Sequence, residues 1–329
     1  MPGTPLYPLT FDPIIRPLIW GGRRLGTVLH KPIGTEEHAA ESWEVSDHGD
    51  AVSRVNVGPL AGASLRELVR DRARELLGEA PTARGQFPLL VKFLDANEPL
   101  SVQVHPNDEL GWKLANDNGK TETWVIVHAE PGSLIYAGLN AGVTRDQLAK
   151  ALRGGGVEPL LHRFEARKSD CIMIPSGTIH AIGAGVLLAE IQQMSDATFR
   201  VYDWDRLGPD GKPRKLHIEE ALAATDFARG PVNPLKTHPE STAFGTVETL
   251  SHCEFFALDR WTLTRPAAIG RADRFTIAMV FEGAVDIHHG GTSTPVEFAQ
   301  TVLLPASIGA CEVVPRSGRD ATLLTCVVP

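Results

Sequence analysis

The sequence has 329 residues, 43% of them hydrophobic and 22% charged, which is typical of a globular protein with room for two domains. Its formal net charge of -8 and its lack of a long basic run exclude an extended nucleic-acid-binding surface. No apolar run approaches the roughly 20 residues of a membrane span, and the N-terminus shows no signal peptide. The four cysteines lack the spacing of a thiolate metal site or a disulfide framework, so we expect a cytoplasmic enzyme or binding protein.

Residues 5–60 are predicted to form short extended segments, because prolines and glycines interrupt the apolar runs. Glu41 and Trp43 alternate onto one strand face, where they form either a strand edge or a pocket wall. A buried strand follows at residues 88–94, and its Lys92 is unusual because lysines rarely occur in apolar strands. That side chain either reaches water or points into a cavity.

Three helices are predicted from capping signals and from apolar residues at helical spacing. Ser64 and Glu67 form the capping box of the first helix. The last helix carries His217 and Glu220, which we interpret as surface or packing residues. The predicted helices cover residues 64–77, 144–152 and 216–224.

Between the first two helices, valines alternate with Ser101, Gln103 and His105. Residues two apart in a strand share a face, so these three polar side chains point to one side of an otherwise apolar strand. Buried polar groups need partners. The strand therefore indicates either a lined cavity or an ordinary core histidine with its hydrogen bonds satisfied.

Two later segments carry further candidate ligands. Residues 119–127 alternate and place Lys120 and Glu122 on one face. Further on, an apolar strand enters the turn at residues 175–177, which delivers His180 with little conformational freedom. Two imidazoles, a carboxylate and a carboxamide suit a divalent transition metal, with zinc as the expected ion. The four candidate metal ligands are Gln103, His105, Glu122 and His180.

The C-terminal part has a different pattern. Residues 229–239 contain three prolines and are predicted to be a linker, and beyond them only strands are predicted. Residues 303–310 repeat the pattern of residues 173–180, with Ala310 in place of His180. The predicted domains are a metal-binding catalytic domain at residues 1–235 and a β-rich domain without a metal site at residues 236–329.

The Pro175-x-Gly-x-x-His180 segment resembles the second motif of the cupin β-barrels, and Gln103-x-His105 stands where their first motif has His-x-His. Together with Gly119-Lys120-Thr121-Glu122, these residues closely resemble the short bacterial form of the zinc-dependent type I mannose-6-phosphate isomerases. The resemblance runs from about Pro13 to Phe227. It implies a mainly β fold: a cupin-type jelly-roll β-barrel catalytic domain with a few short helices, and a second, degenerate cupin-like β-domain.

The resemblance also implies an activity, the interconversion of D-mannose 6-phosphate and D-fructose 6-phosphate by metal-assisted proton transfer through a cis-enediol. One Zn²⁺ per chain would stabilise the charge that develops on O1 and O2. Which residue is the general base, and which cation meets the phosphate, stay open. The implied catalytic residues are Arg200, Lys120, Asp196 and Glu190. The implied substrate-binding residues are Ser101 and Lys92. The candidates for binding the phosphate are Arg200, Lys92 and Ser101.

Two other functions compete with this interpretation. A cupin oxygenase could hold Fe(II) on two histidines and a glutamate, but Lys120 and Arg200 argue against the apolar substrate of such an enzyme. A non-catalytic sugar-phosphate-binding cupin would keep the pocket without turnover. Arg200 itself has a structural alternative, an ion pair with Asp203 or Asp205. As a partner we expect a small sugar phosphate, and neither nucleic acid nor a membrane. We expect the protein to be a monomer or a weak homodimer.

Overall fold

The structure, a computed structural model, describes residues 3–154, 156–208 and 211–329. The chain divides into two compact units, each of which is discontinuous in sequence. The predicted domain boundary after residue 235 stays a prediction. We call the two units the central unit (Ile15–Trp43 and Val91–Leu235) and the C-terminal unit (the residues up to Ile14, Glu44–Leu90 and Lys236–Pro329).

Strands dominate the described residues, so the predicted mainly β class is confirmed. In chain order they are β1 (Leu9–Thr10), β2 (Ile14–Gly22), β3 (Ala39–Val45), β4 (Asp47–His48), β5 (Ala51–Val52), β6 (Leu89–Ala96), β7 (Val102–Val104), β8 (Glu122–Ala129), β9 (Leu134–Leu139), β10 (Leu161–Glu165), β11 (Cys171–Ile174), β12 (His180–Ile182), β13 (Val186–Gln193), β14 (Phe199–Tyr202), β15 (Glu240–Thr242), β16 (Gly245–His252), β17 (Ala257–Leu263), β18 (Ala267–Ile269), β19 (Thr276–Glu282), β20 (Val285–His289), β21 (Thr292–Val296), β22 (Thr301–Leu304), β23 (Cys311–Pro315) and β24 (Ala321–Val327).

The helices are short, and capping side chains mark where three of them begin. The side chain of Ser64 accepts a hydrogen bond from the backbone of Glu67, which in turn accepts one from the backbone of Ser64, so the predicted capping box is confirmed. Thr144 and Gln147 exchange the same pair of bonds. Asn107 caps a helix that the sequence analysis did not predict. The helices are α1 (Arg24–Thr27), α2 (Leu65–Leu77), α3 (Asp108–Leu114), α4 (Arg145–Gly154) and α5 (Ile218–Ala224).

Two sheets build the central unit. The five-stranded sheet has the order β10-β9-β12-β7-β14, and the six-stranded sheet has the order β11-β8-β13-β6-β3-β2. The short strand β7 is antiparallel to both of its neighbours, β12 and β14. It therefore lies inside the five-stranded sheet, with backbone hydrogen bonds on both sides.

Side chains of the five-stranded sheet alternate between two apolar cores. Ile135 and Ile182 pack in a cluster that also contains Trp124 of the six-stranded sheet. Their sequence neighbours Tyr136 and Ala181 belong to a second cluster, which includes buried residues of α4 and α5. One face of this sheet therefore looks into the interior shared with the six-stranded sheet, and helices cover the other face.

The C-terminal unit contains a seven-stranded sheet of order β1-β22-β19-β24-β17-β16-β15 and a four-stranded sheet of order β18-β23-β20-β21. Its core is apolar and combines residues of both sheets, such as Val280 and Leu323 with Ile287 and Val313. Among the residues that the structure describes, no helix is long and apolar enough to cross a membrane.

Candidate active site

Strand β7 supplies the first side chains of the site. Val102 and Val104 are fully buried in the apolar cluster on the helical side of the five-stranded sheet. Ser101, Gln103 and His105 therefore point the other way, into the interior between the two sheets. Of the two interpretations of this strand, the lined cavity is correct.

The pairing of β7 brings two further predicted residues to the same place. Gln103 lies opposite His180 on β12 and opposite Arg200 on β14. Residues that are directly opposite on neighbouring strands have side chains on the same face. His180, Gln103 and Arg200 therefore form a row across three strands.

The turn before β12 fixes the position of His180. The backbone N–H of Thr178 donates to the carbonyl of Pro175 at 3.2 Å, which closes the turn. Gly177 has a φ of 83°, in the left-handed region that glycine adopts without strain. Its N–H donates to the carbonyl of His105 at 2.8 Å. The turn that delivers His180 is thus tied directly to the end of β7.

His105, Glu122 and His180 form a cluster whose ligand atoms lie within 4.8 Å of one another. Nε2 of His105 is 3.4 Å from Oε2 of Glu122, and Nε2 of His180 is 3.4 Å from Oε1 of the same carboxylate. The side-chain nitrogen of Gln103 lies 3.4 Å from Nε2 of His180. All three cluster residues are 1% exposed. The structure therefore brings the four predicted ligands together.

Backbone carbonyls orient both imidazoles. Nδ1 of His105 donates to Ala197 at 2.8 Å, and Nδ1 of His180 donates to Thr178 at 2.9 Å. Burial lowers the pKa of both rings, to about 4 for His180, and the charge of Lys120 lowers the pKa of His105 further. Both rings are therefore neutral at pH 7, with the Nε2 lone pairs facing the cluster. This donor set fits a divalent transition metal such as zinc.

Lys120 places its ammonium group against the candidate ligands. Its Nζ is 2.5 Å from Oε2 of Glu122, 3.0 Å from Nε2 of His105 and 3.4 Å from Oε1 of Glu190. Burial and the neighbouring charge of Glu190 raise the pKa of Glu122 to about 7, against the opposing effect of Lys120. The ammonium group therefore lies against two of the candidate ligands, Glu122 and His105.

Lys92 points into the site rather than to water. Its Nζ is 3.0 Å from Oε1 of Glu190 and 3.6 Å from Oε2 of Glu41. Burial alone would raise the pKa of Glu190. The positive charges of Lys120 and Lys92 have the larger, opposite effect and lower that pKa to about 2. Trp124 donates to the other oxygen of Glu190 at 3.1 Å. Glu190 is therefore an anion, and Glu41 belongs to a pocket wall.

A cavity of about 320 Å³ opens beside this cluster, a volume in the range of small-ligand sites. Gln103 and Lys120, which contact the cluster, line it together with Arg200, Arg214 and His217. The predicted residues that line the cavity are Lys92, Ser101, Gln103, Lys120, Glu190, Asp196 and Arg200.

Arg200 turns toward the cavity face of β7. Its Nε donates to Oγ of Ser101 at 3.2 Å, and its Nη1 donates to the carbonyl of Lys215 at 3.3 Å. Within the described part of the chain, Arg200 makes no ion pair with Asp203 or Asp205. The carboxylate of Asp203 instead faces two other arginines. The structural alternative for Arg200 is therefore incorrect.

Three lining residues were missed or misinterpreted from the sequence. His217 is not merely a surface or packing residue: it lines the cavity, and its Nδ1 accepts the backbone N–H of Arg200 at 3.3 Å. Arg214 lies three residues before His217, and its only signal in the sequence is the short basic stretch around it. Arg16 lies on β2 with its guanidinium 4.9 Å from the ring centre of Trp43. Nothing in its sequence neighbourhood pointed to a site.

Comparisons with known proteins agree with this geometry. The model of the catalytic domain of type I phosphomannose isomerase matches residues 9–122, and the model of the mannose-6-phosphate isomerase cupin domain matches residues 246–318. The mannose-6-phosphate isomerase ManA of Bacillus subtilis (strain 168) is 35% identical over 303 residues, which cover 92% of this chain and 94% of that protein.

Two further similarities extend over the same length. The mannose-6-phosphate isomerase of Streptococcus mutans is 33% identical over 303 residues, which cover 92% of this chain and 93% of that protein. The crystal structure of the mannose 6-phosphate isomerase from Bacillus subtilis superimposes with a TM-score of 0.89 at 31% identity, and covers 98% of this chain and 99% of that one.

Proposed function

This chain belongs to the type I phosphomannose isomerase family, and on that premise we propose that it interconverts D-mannose 6-phosphate and D-fructose 6-phosphate. The observation that carries the proposal is a single cavity that is lined by arginines and lies beside the His/Glu/His cluster. An aldose–ketose isomerase of a sugar phosphate needs both: an electrophile for the oxygens at C1 and C2, and positive charge for the phosphate.

The metal ligands in this proposal are the three cluster residues and the side-chain oxygen of Gln103, which accepts from the hydroxyl of Ser101 at 3.3 Å, with zinc as the ion and one ion per chain. The supporting observations are the neutral imidazoles, their carbonyl-anchored Nδ1 atoms and the buried carboxylate of Glu122. When bound, the metal would supply positive charge that stabilises the enediol oxygens.

In the direction from aldose to ketose, one proton moves from C2 to C1 of the open-chain sugar and the hydroxyl proton of O2 passes to O1, so the carbonyl moves from C1 to C2. We assign the transfer to Lys120, which lines the cavity beside Glu122 and His105 and would have to act as the neutral amine to take a proton from C2. Glu190 is held as an anion by two lysines, which makes it a weak base, so we assign it to orienting them. Asp196 is exposed where it lines the cavity, and it stays the alternative general base.

For the 6-phosphate we favour Arg200 and Ser101 over Lys92. Arg200 lines the cavity and offers a planar guanidinium next to the hydroxyl of Ser101. Lys92 is 3% exposed and already engaged by the carboxylates of Glu41 and Glu190. We therefore place Lys92 at the sugar rather than at the phosphate.

The alternatives are a metal-dependent cupin oxygenase and a non-catalytic sugar-phosphate-binding cupin. The cavity disfavours the oxygenase, because buried lysines and arginines line it where an apolar substrate would need apolar walls. A coupled assay that follows fructose 6-phosphate formed from mannose 6-phosphate, with and without a chelator, separates the functions. Chelator-sensitive isomerisation supports the proposal; binding without turnover, or oxygen uptake with an aromatic substrate, contradicts it.

We also infer a cytoplasmic monomer or weak homodimer that binds neither nucleic acid nor membranes. The supporting observation is that all four cysteines are free, three of them buried, as in proteins of a reducing compartment. Sedimentation of the purified protein across a concentration series tests the oligomeric state.

A further inference from the structure

Asp203 holds two arginines at once. Its carboxylate receives a bidentate contact from Arg214, with Nε at 2.7 Å and Nη2 at 2.5 Å. Nη2 of Arg206 donates to the same carboxylate at 2.7 Å. The side chain of Asp203 is only 7% exposed. A paired fork of this kind fixes the plane of a guanidinium as well as its position. We call Asp203, Arg206 and Arg214 the arginine clamp.

The two arginines of the clamp have different surroundings. Arg214 lines the cavity, next to Arg200 and His217. Arg206 is turned inward: its Nε and Nη1 are buried and have no hydrogen-bond partner within the described residues. Asp203 engages Nε and Nη2 of Arg214, so Nη1 is the nitrogen of Arg214 that stays outside the fork. The clamp therefore presents one side of the Arg214 guanidinium to the cavity.

The charges at this end of the cavity do not balance. Among the described residues, Arg206 and Arg214 share the carboxylate of Asp203 while Arg200 forms no ion pair, and burial together with the charges of Arg214 and Arg206 lowers the pKa of Arg200. Like charges held together in a partly buried place are costly unless an anion joins them. A phosphate dianion would supply the missing charge.

Building on the proposed function, we propose that Arg214 is a second phosphate-binding residue beside Arg200, and that Asp203 is the positioning residue that aims it. Arg200 approaches the phosphate from β14 with its Nε on Ser101, and Arg214 approaches from the segment that precedes α5. Two guanidinium groups from two different chain segments then bind one phosphate. The clamp thereby contributes selectivity for phosphorylated over free sugars.

The test compares Arg214→Gln and Arg214→Lys with the wild type, and Arg153→Gln serves as the matched control. Arg153 pairs with Glu219 on the exposed surface of the same unit. We expect Arg214→Gln to raise KM for mannose 6-phosphate and Ki for inorganic phosphate by about tenfold or more, with kcat within about threefold. Arg214→Lys should recover part of the loss, because it restores charge without the fork.

Asp203→Asn tests the positioning role. This variant keeps Arg214 but removes the negative charge that orients its guanidinium group. We therefore expect KM for mannose 6-phosphate and Ki for inorganic phosphate to rise. In thermal unfolding, added inorganic phosphate should stabilise the variant less than the wild type. A purely structural clamp would leave KM and Ki of Arg214→Gln at wild-type values, whatever the melting temperature of Asp203→Asn. That result overturns the proposal.

Calorimetric binding of fructose 6-phosphate separates this inference from the proposed function. If the wild type does not isomerise the sugar but binds it, and Arg214→Gln weakens that binding, the inference holds and the proposed function fails. If the wild type isomerises the sugar and Arg214→Gln binds and turns it over normally, the inference fails and the proposed function holds.

Discussion

Nε2 of His180 and the side-chain nitrogen of Gln103 lie 3.4 Å apart, directly opposite each other across β12 and β7. The backbone hydrogen bonds of the sheet set this relationship, and the turn before β12 strengthens it through its bond to His105. Three of the four candidate metal ligands, Gln103, Glu122 and His180, therefore lie on strands, and the fourth, His105, directly follows one; such support preorganises side chains.

Replacing His180 with alanine should remove bound metal and activity together, because the variant loses one of four protein ligands. Metal content by mass spectrometry and isomerase activity, measured on the same preparation, check this. His128→Ala is the control, since His128 lies on β8 with an exposed side chain. Full zinc occupancy in His180→Ala would refute the assignment of this ligand.

Replacing Arg200 with lysine should leave metal content intact but lower kcat/KM. Lysine keeps the charge but loses the planar group that reaches both Ser101 and the carbonyl of Lys215. A lost charged hydrogen bond of about 1.5–3 kcal/mol corresponds to roughly a 10- to 100-fold decrease. Steady-state kinetics check this, with Arg163→Lys at an exposed ion pair as the control. Unchanged kinetics would give Arg200 a structural role only.

Replacing Lys120 with methionine should lower kcat by at least about 100-fold, the usual contribution of a positioned acid or base. The unbranched side chain of methionine fills a similar space, and the carboxylate of Glu122 stays in place to bind metal. Exchange of the C2 hydrogen of mannose 6-phosphate with deuterated solvent should fall with kcat. Lys150→Met, at an exposed position of α4, is the control. Wild-type exchange in Lys120→Met would transfer the role to Asp196.

Asp203 should make the stability of the protein depend on pH. Burial acts to raise the pKa of its carboxyl, but hydrogen bonds from Arg214 and Arg206 outweigh burial and lower it. On acidification the unfolded chain takes up this proton first, so the stabilisation is fully present above the ordinary aspartate range and is lost as the pH falls through the folded pKa.

Asp203→Asn should therefore be less stable than the wild type by about 1–3 kcal/mol at pH 7, and the difference should shrink in strong acid. Urea unfolding at a series of pH values measures it. The control is Asp205→Asn, an exposed position two residues away whose carboxylate accepts from the hydroxyl of Tyr202 at 3.4 Å. A difference that is independent of pH would contradict the linkage to this carboxyl.

The metal-ligand side of the site was predictable because each ligand stands in a local pattern. The alternation around Gln103 and His105 marks a strand with one polar face, and a tight turn before His180 marks a fixed position. Glu122 follows the same alternation. Such patterns depend on neighbours in sequence, and the structure places all of them where the pattern requires.

The arginines that line the cavity could not be predicted from local sequence patterns. Arg214 reaches the cavity because Asp203, eleven residues earlier, binds it, and that contact depends on the path of the intervening chain. Arg16 reaches it through the packing of β2 in the six-stranded sheet, whose strand order no local pattern encodes. Helix α3 was missed because Gly111 interrupts its short apolar pattern, although Asn107 carried a capping signal.

The row of His180, Gln103 and Arg200 across three neighbouring strands has a consequence for substrate length. Adjacent strands are about 4.8 Å apart, so the backbones of the two outer residues are separated by roughly 10 Å. Backbone hydrogen bonds make this span rigid. In the proposed function the two outer residues serve the carbonyl end and the phosphate end of the sugar, so we expect the enzyme to turn over an aldose phosphate with one carbon fewer poorly.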